Sequence, residues 1–341
     1  MSRRLLPYLT NLGMLIVMLI LSLAIGSVFI APGQLWQILR SWLSGNPLPD
    51  GLRTFAFIIT DIRLPRTLLI LLTGAALGGS GTAYQGLFRN PLADPYLIGV
   101  ASGAGLGAVA AMSIHWPYSF WGLMAVPLSA FLFAMLTVLL VYAIARVGGS
   151  VPTTNLILAG VAFSAFATAL TSFLIMSSDG EIRRALSWLM GGGSQSSWTT
   201  VLAVLPYLVI GLGCLLMNGY ALNLLQFGDD QAQQMGLNVT RSKTLLLLAA
   251  SLATAAAVSF SGIIGFIGLI VPHIMRMWWG ADYRRLLPLS MLAGGGALLL
   301  ADILARVVMR PQELPVGIVT ALAGAPFFLW VLRRSKNQGT W

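Results

Sequence analysis

Charge is what this chain has least of. Asp, Glu, Lys and Arg together make up 9% of its 341 residues, against about 25% in a soluble domain. Hydrophobic residues make up 57% and the mean hydropathy is +0.85, so a soluble globular fold is excluded and a polytopic membrane protein expected. Cysteine is almost missing. Cys214, inside an apolar run, is the single one, which rules out a disulfide or a cysteine metal site within one chain. The histidines, His115 and His273, lie far apart with no ligand-like spacing, so no metal site is read. Lysine occurs only as Lys243 and Lys336, neither after a glycine, and there is no G-x-x-x-x-G-K-[ST] loop to hold a nucleotide phosphate. Basic residues outnumber acidic ones by 20 to 10, for a formal net charge of +10. In a soluble chain that excess would suggest nucleic acid. Here the basic residues sit mostly in short loops between apolar stretches, where membrane orientation and anionic lipid headgroups account for them, and no nucleic-acid partner is expected.

What the chain has in quantity is apolar runs of the length a bilayer demands, about 20 residues. These predict an all-α fold with spans at 12–31, 67–87, 96–114, 121–145, 155–176 and 199–217. From Thr244 to Trp279 the apolar run is 36 residues, about 54 Å as one helix and nearly twice a bilayer core, so it must fold near Ser259–Gly262 into spans 244–260 and 263–279. Spans 286–308 and 314–332 bring the expected number to ten, in one permease domain covering residues 1–341. The Arg3-Arg4 start is read as leading into the first span rather than a cleaved signal, since no small-residue cleavage site follows. With both termini inside, 12 of the 20 Lys and Arg fall on the inner face, a modest positive-inside bias. The outer set includes Arg63, Arg66, Arg306 and Arg310 near span ends. Docking of an acidic partner and headgroup contact are both readings of them.

Two polar segments stand out on the inner face. Gln85–Gly103 (QGLFRNPLADPYLIGVASG) carries Pro91 and Pro95, which cannot continue a helix, so the chain turns there at a membrane surface. The loop 218–243 is dense in start and stop signals. Gly228 breaks an apolar start at Leu224–Phe227, Asp229 and Asp230 are placed to cap a short helix 231–235, and Gly236 is placed to end it in a left-handed cap. Two short helices around a glycine make a compact knob. A carrier driven by an ion gradient places charge at mid-membrane, but the one acid inside a span, Asp302, falls near its outer end. That favours an external motor over a gradient-driven secondary carrier or exporter.

Five ordered segments then resemble one family: RLPRTLLILLTGAALGGSG at 63–81, RNPLADPYLIGVASGAG at 89–105, FGDDQAQQMGL at 227–237, GFIGLIVPHIMR at 265–276 and ADILARVVMRPQELPVGIVTALAGAPFF at 301–328. They look like the FecCD-type permeases of type II ABC importers, which carry iron siderophores, haem or vitamin B12. The resemblance runs from about Arg63 to Leu332. It implies a homodimer of ten-helix subunits in the bacterial inner membrane, two cytoplasmic ATPase subunits and a periplasmic or lipid-anchored substrate-binding protein. No cofactor is implied in this chain, ATP and Mg being used by the ATPase. By similarity, Arg63, Arg66 and Arg306 dock the binding protein. The knob, with Phe227, Gly228, Asp229, Asp230, Gln231, Gln234, Met235, Gly236 and Leu237, seats in the ATPase. Asn90, Leu92, Thr153 and Thr154 form the cytoplasmic gate. The segment Gly180–Trp198 is placed as a short helix beside the outer mouth, where Arg183 and Arg184 meet either the binding protein or lipid.

Overall fold

Backbone N–H and C=O groups cannot be left unpaired in hydrocarbon, which restricts an apolar chain of this kind to helices. The computed structural model describes residues 2–336 apart from 27, 46, 115, 117, 118, 149, 150, 178–181 and 192–195. Every element among them is helical. The first part of the chain forms α1 (Ser2–Ala24), α2 (Pro32–Ser44), α3 (Arg53–Phe57), a π-helical turn Ile58–Arg63, and α4 (Leu64–Leu87). Next come α5 (Val100–Met112), α6 (Phe120–Ala145), α7 (Thr153–Ser177), α8 (Ile182–Leu189) and α9 (Trp198–Met217). The knob is α10 (Gly219–Leu225) with α11 (Asp229–Gln234), and α12 (Val239–Ser261), α13 (Ile267–Trp279), α14 (Tyr283–Val307) and α15 (Val316–Lys336) complete the fold.

Six of these, α1, α6, α7, α9, α12 and α14, contain stretches long and apolar enough to cross a membrane. The chain is a multi-pass membrane protein. α4 has 24 residues, yet its second half is rich in Gly, Ser and Thr. Every residue from Ala76 to Leu87 is buried, enclosed by α14, α12, α13 and α9. Protein rather than lipid is its surroundings, and it has no need of high hydropathy. Small residues let its backbone touch its neighbours: a Cβ at Gly74 or Gly78 would collide with the carbonyl of Gly294 or Ser290 in α14. Hydroxyls complete the contact, with Ser80 Oγ donating to the Ala250 carbonyl at 3.0 Å and Tyr84 Oη 2.7 Å from Ser251 Oγ, both in α12.

Three expected spans need correction at their ends. The stretch 12–31 is instead α1, beginning at Ser2 and ending at Ala24. Polar residues at a membrane surface continue a helix as readily as apolar ones, so the helix starts ahead of its apolar run. Beyond Ala24, Gly26 makes room for a side chain from elsewhere, since a Cβ there would lie 2.6 Å from Arg63 Nη2. Residues 96–114 and 263–279 are not continuous helices either. α5 and α13 have 13 residues each, about 20 Å, and neither is long enough to span hydrocarbon alone. Each is preceded by irregular backbone, turned through Gly99 (φ +84) and Gly262 (φ +75). The two irregular segments satisfy each other: Tyr96 Oη donates to the Ile264 carbonyl at 2.9 Å and accepts from the Ile264 N–H at 3.3 Å.

Asp282 starts α14, its Oδ1 accepting the Arg284 N–H at 3.1 Å and a bond from Asn223 Nδ2 at 2.7 Å. Asn223 Oδ1 in turn accepts the Tyr283 N–H at 2.8 Å, which clasps α10 to α14. The Asn223 bond is the main reason the Asp282 carboxyl is held below the usual carboxylate range. A depressed folded-state pKa contributes stability above the unfolded value, about 3.9, and loses it as pH falls through the folded value. Asp282→Ala should therefore cost about 0.5–2 kcal/mol at pH 7. The gap in thermal midpoint between variant and wild type in detergent should narrow below about pH 4.

Candidate functional site

The knob is built from short elements tied down at few points. In α10, Leu222, Leu224 and Leu225 are buried and anchor the helix. Gly228 then turns the chain at φ +102 and Gly236 at φ +87, conformations open to glycine at little cost. Between them α11 runs from Asp229 rather than Gln231, so Asp229 and Asp230 occupy its first turn instead of capping it. Their charge still faces the positive helix end. Asp229 does not cap because it is already the first helical residue, one past the cap position at Gly228, and Lys243 Nζ donates to its Oδ2 at 2.6 Å. Ala232 packs fully inward, while Gln231, Gln234 and Gly236 face out and Leu237 is half-buried. Phe227 and Met235 flank α11 with 63% and 49% of their surface exposed.

Behind the knob lies a cavity of about 260 Å³. Its walls include Phe88 after α4, Tyr142 of α6, Val151–Thr153 leading into α7, Asp229 of α11, and Lys243 with its neighbours on α12. Tyr142 Oη and Thr244 Oγ1, 2.8 Å apart, tie α6 to α12 beside it. The expected gate residues sit around this junction. Asn90 is exposed, its Oδ1 accepting the Leu92 N–H at 2.9 Å in a tight turn, and Thr153 and Thr154 open α7. Arg89, at φ +49, brings Nη1 to 3.2 Å from where a Cβ of Gly228 would stand. The structure thus gathers the turn after α4, the start of α7 and the knob at one place.

At the other end of the molecule the three arginines behave differently from one another. Arg63 is 5% exposed and donates to the carbonyls of Leu23 at 2.5 Å and Ala24 at 3.0 Å, and also to that of Val28. Arg306 is 4% exposed and donates to the carbonyls of Ser22 and Ile25, both at 3.1 Å. Together they satisfy the free carbonyls at the C-terminal end of α1, where cations are favoured. In this conformation both guanidiniums, expected from the sequence to dock a binding protein, are turned inward onto the end of α1. Arg66 is nearer the surface. Its Nη2 and Nε donate to Asp302 Oδ1 at 2.9 and 3.1 Å, and its Nη1 to Glu313 Oε2 at 2.6 Å. Asp302, fully buried, also faces Arg306 Nη2 at 2.9 Å.

Sequence reading singled out each of these arginines and Asp302, but not their mutual pairing. It also missed the Lys243–Asp229 pair. The available signal was that Lys243 is one of two lysines and lies 14 residues from an acid across a loop. The short helix α8 is present at Ile182–Leu189, with Arg183 exposed. The Gly192–Gly193 part of its expected stop, like His115, lies outside the described residues. Among the described residues no group of His, Cys, Asp and Glu is arranged to hold a metal ion.

A family model described as the FecCD transport family matches residues 14–334. The chain belongs to the FecCD transport family. Among its FecCD relatives, the cobalamin import system permease protein BtuC of Halobacterium salinarum is 48% identical over 288 residues, covering 84% of this chain and 76% of that one. The hemin transport system permease protein HmuU of Yersinia pestis is 43% identical over 286 residues, covering 82% and 84%. A solved structure of the metal-chelate type of ABC transporter, in an inward-facing conformation, superposes with a TM-score of 0.81 at 31% identity. It covers 96% of this chain and 98% of that one.

Proposed function

We propose that this FecCD chain is the membrane-spanning permease subunit of an ATP-driven importer. It works as a pair of copies in a bacterial inner membrane with two ATPase subunits on the inside and a substrate-binding protein outside. The observation that carries this reading is the knob: α10, and α11 between Gly228 and Gly236, present Phe227 and Met235 to the inner side of a chain whose sequence has no phosphate loop of its own. A motor has to dock there for ATP to act. The six long apolar helices together with α4, α5, α13 and α15 supply ten crossings, with both termini inside in keeping with the arginine and lysine bias. The cargo is a metal chelate. Relatives named for cobalamin and for hemin support a corrinoid or a haem, and an iron siderophore is the third class to test.

The test is uptake into proteoliposomes holding this chain with its ATPase subunits, using binding protein loaded with cyanocobalamin, hemin or a ferric siderophore. One of the three should accumulate only when ATP is present. Uptake driven by a proton or sodium gradient without ATP would replace this reading with that of a gradient-driven carrier. In the same assay Phe227→Ala with Met235→Ala should weaken ATPase docking by about 2 kcal/mol or more, roughly 30-fold in affinity. Both side chains are exposed, so the thermal midpoint should reflect less than about 0.5 kcal/mol of stability per site.

A further inference from the structure

A six-residue helix cannot hold its own shape in water, and α11 is bounded by two glycines whose backbone turns freely. Something must stop it from pivoting. Ala232 supplies a small buried contact, and the directional one is the ion pair from Lys243 Nζ to Asp229 Oδ2 at 2.6 Å. The Lys243 side chain is 18% exposed and that of Asp229 46%, so the pair is shielded on the lysine side and open to solvent on the other, and what it supplies is direction more than energy. Lys243 stands in the second turn of α12, a helix buried along most of its length against α4, α9 and α6. At its far end α12 runs into residues 262–266, where Ile264 is bonded both ways to Tyr96. Tyr96 belongs to the same turn, 88–99, whose first residue, Phe88, lines the cavity beside Lys243.

The chain of contacts therefore closes on itself. Asp229 is joined to Lys243, Lys243 is carried by α12 and lines one cavity with Phe88 of the 88–99 turn, and the residues that follow α12 bond to Tyr96 of the same turn. The start of α7, Val151–Thr153, forms another wall of the cavity. We propose that the Lys243–Asp229 pair is a positioning latch: it fixes the first turn of α11 to α12, so that a displacement of the knob is passed to α12 and to the turns at 88–99 and 151–154 instead of being lost in the loop. This rests on the reading of the knob as the seat of the ATPase.

The test uses the full chain in lipid nanodiscs, in a Cys214→Ser background, with spin labels at Gln234→Cys on the knob and Thr154→Cys at the start of α7. Asp229→Asn and Lys243→Met should each broaden the distance distribution between labels by about twofold, and the exchange Asp229→Lys with Lys243→Asp should restore it. In the complex with ATPase subunits, uptake of cyanocobalamin or hemin per ATP hydrolysed should fall about fivefold or more in the single variants and recover in the exchange. Single variants as narrow as wild type, or an exchange no better than the single variants, would overturn the latch. A wild-type complex with no ATP-dependent uptake would instead sink the importer reading, and the label distances would still decide the latch.

Discussion

Gly81→Val is expected to leave little or no folded protein. Gly81 lies where α4 crosses α13, and even a Cβ there would fall on the Gly268 carbonyl, with the Gly268 C and Cα at 2.6 and 2.7 Å. The approach is reciprocal, because a Cβ on Gly268 would meet Pro95 Cγ at 2.6 Å and the Leu77 carbonyl at 2.9 Å. Overpacking a core usually costs about 1–3 kcal/mol, since side chains rotate away. Here the obstacle is backbone, which can yield only if α13 moves and takes the Tyr96–Ile264 joint with it. The cost should exceed that range, and the variant should elute as aggregate in size-exclusion chromatography after detergent extraction. Gly213→Ala is the matched control: no atom lies within 4 Å of the added Cβ, and alanine in a helix gains about 0.5–1 kcal/mol over glycine. A monodisperse Gly81→Val protein with a wild-type thermal midpoint would show that α4 and α13 are not packed this closely.

Asp302→Ala should cost about 3–5 kcal/mol, the usual loss when one partner of a buried ion pair is removed. The carboxylate is fully buried between Arg66 and Arg306, whose side chains are 14% and 4% exposed. Without it two guanidiniums face each other with only Glu313, 42% exposed, on the outer side of Arg66. The double variant Arg66→Met with Asp302→Met removes a charge of each sign and should be milder than Asp302→Ala alone. Arg306 would keep its bonds to the carbonyls of Ser22 and Ile25. Thermal midpoints in detergent decide the order. Because the cluster is shielded from solvent, the ranking should survive a rise from low to high salt. A double variant as unstable as Asp302→Ala would mean that the arginines, not the uncompensated charge, set the cost.

The sequence was most readable where lipid alone chooses the residues. α6, α7 and α9 lie within two residues of their expected ends because their apolar runs stop where the helices do. It was least readable where protein replaces lipid. The breaks before α5 and α13 are allowed only because Tyr96 and Ile264, 168 residues apart, complete each other's bonding, and no local pattern announces that. The arginines show the same limit. Their placement near helix ends was legible, but the outward or inward aim of Arg63 depended on carbonyls at 23, 24 and 28 that only the folded chain brings near. In the knob, the glycines at 228 and 236 were legible as turns, since glycine's freedom is a local property, whereas the partner of Asp229 was not.

The two arginines that close the end of α1 also set an order in time. α1 is made before α4 and α14, and the carbonyls of Ser22 and Leu23 at its end wait for their arginine donors until Arg63 follows some 40 residues later and Arg306 arrives 284 residues after Ser22. At about 5–20 residues per second that second wait is roughly 15–60 s. Through that interval the end of α1 is provisional, held by water or headgroups at the membrane surface. Synthesis of α14 finishes what synthesis of α1 began, so a chain cut short before α14 inserts its first helix without ever closing it.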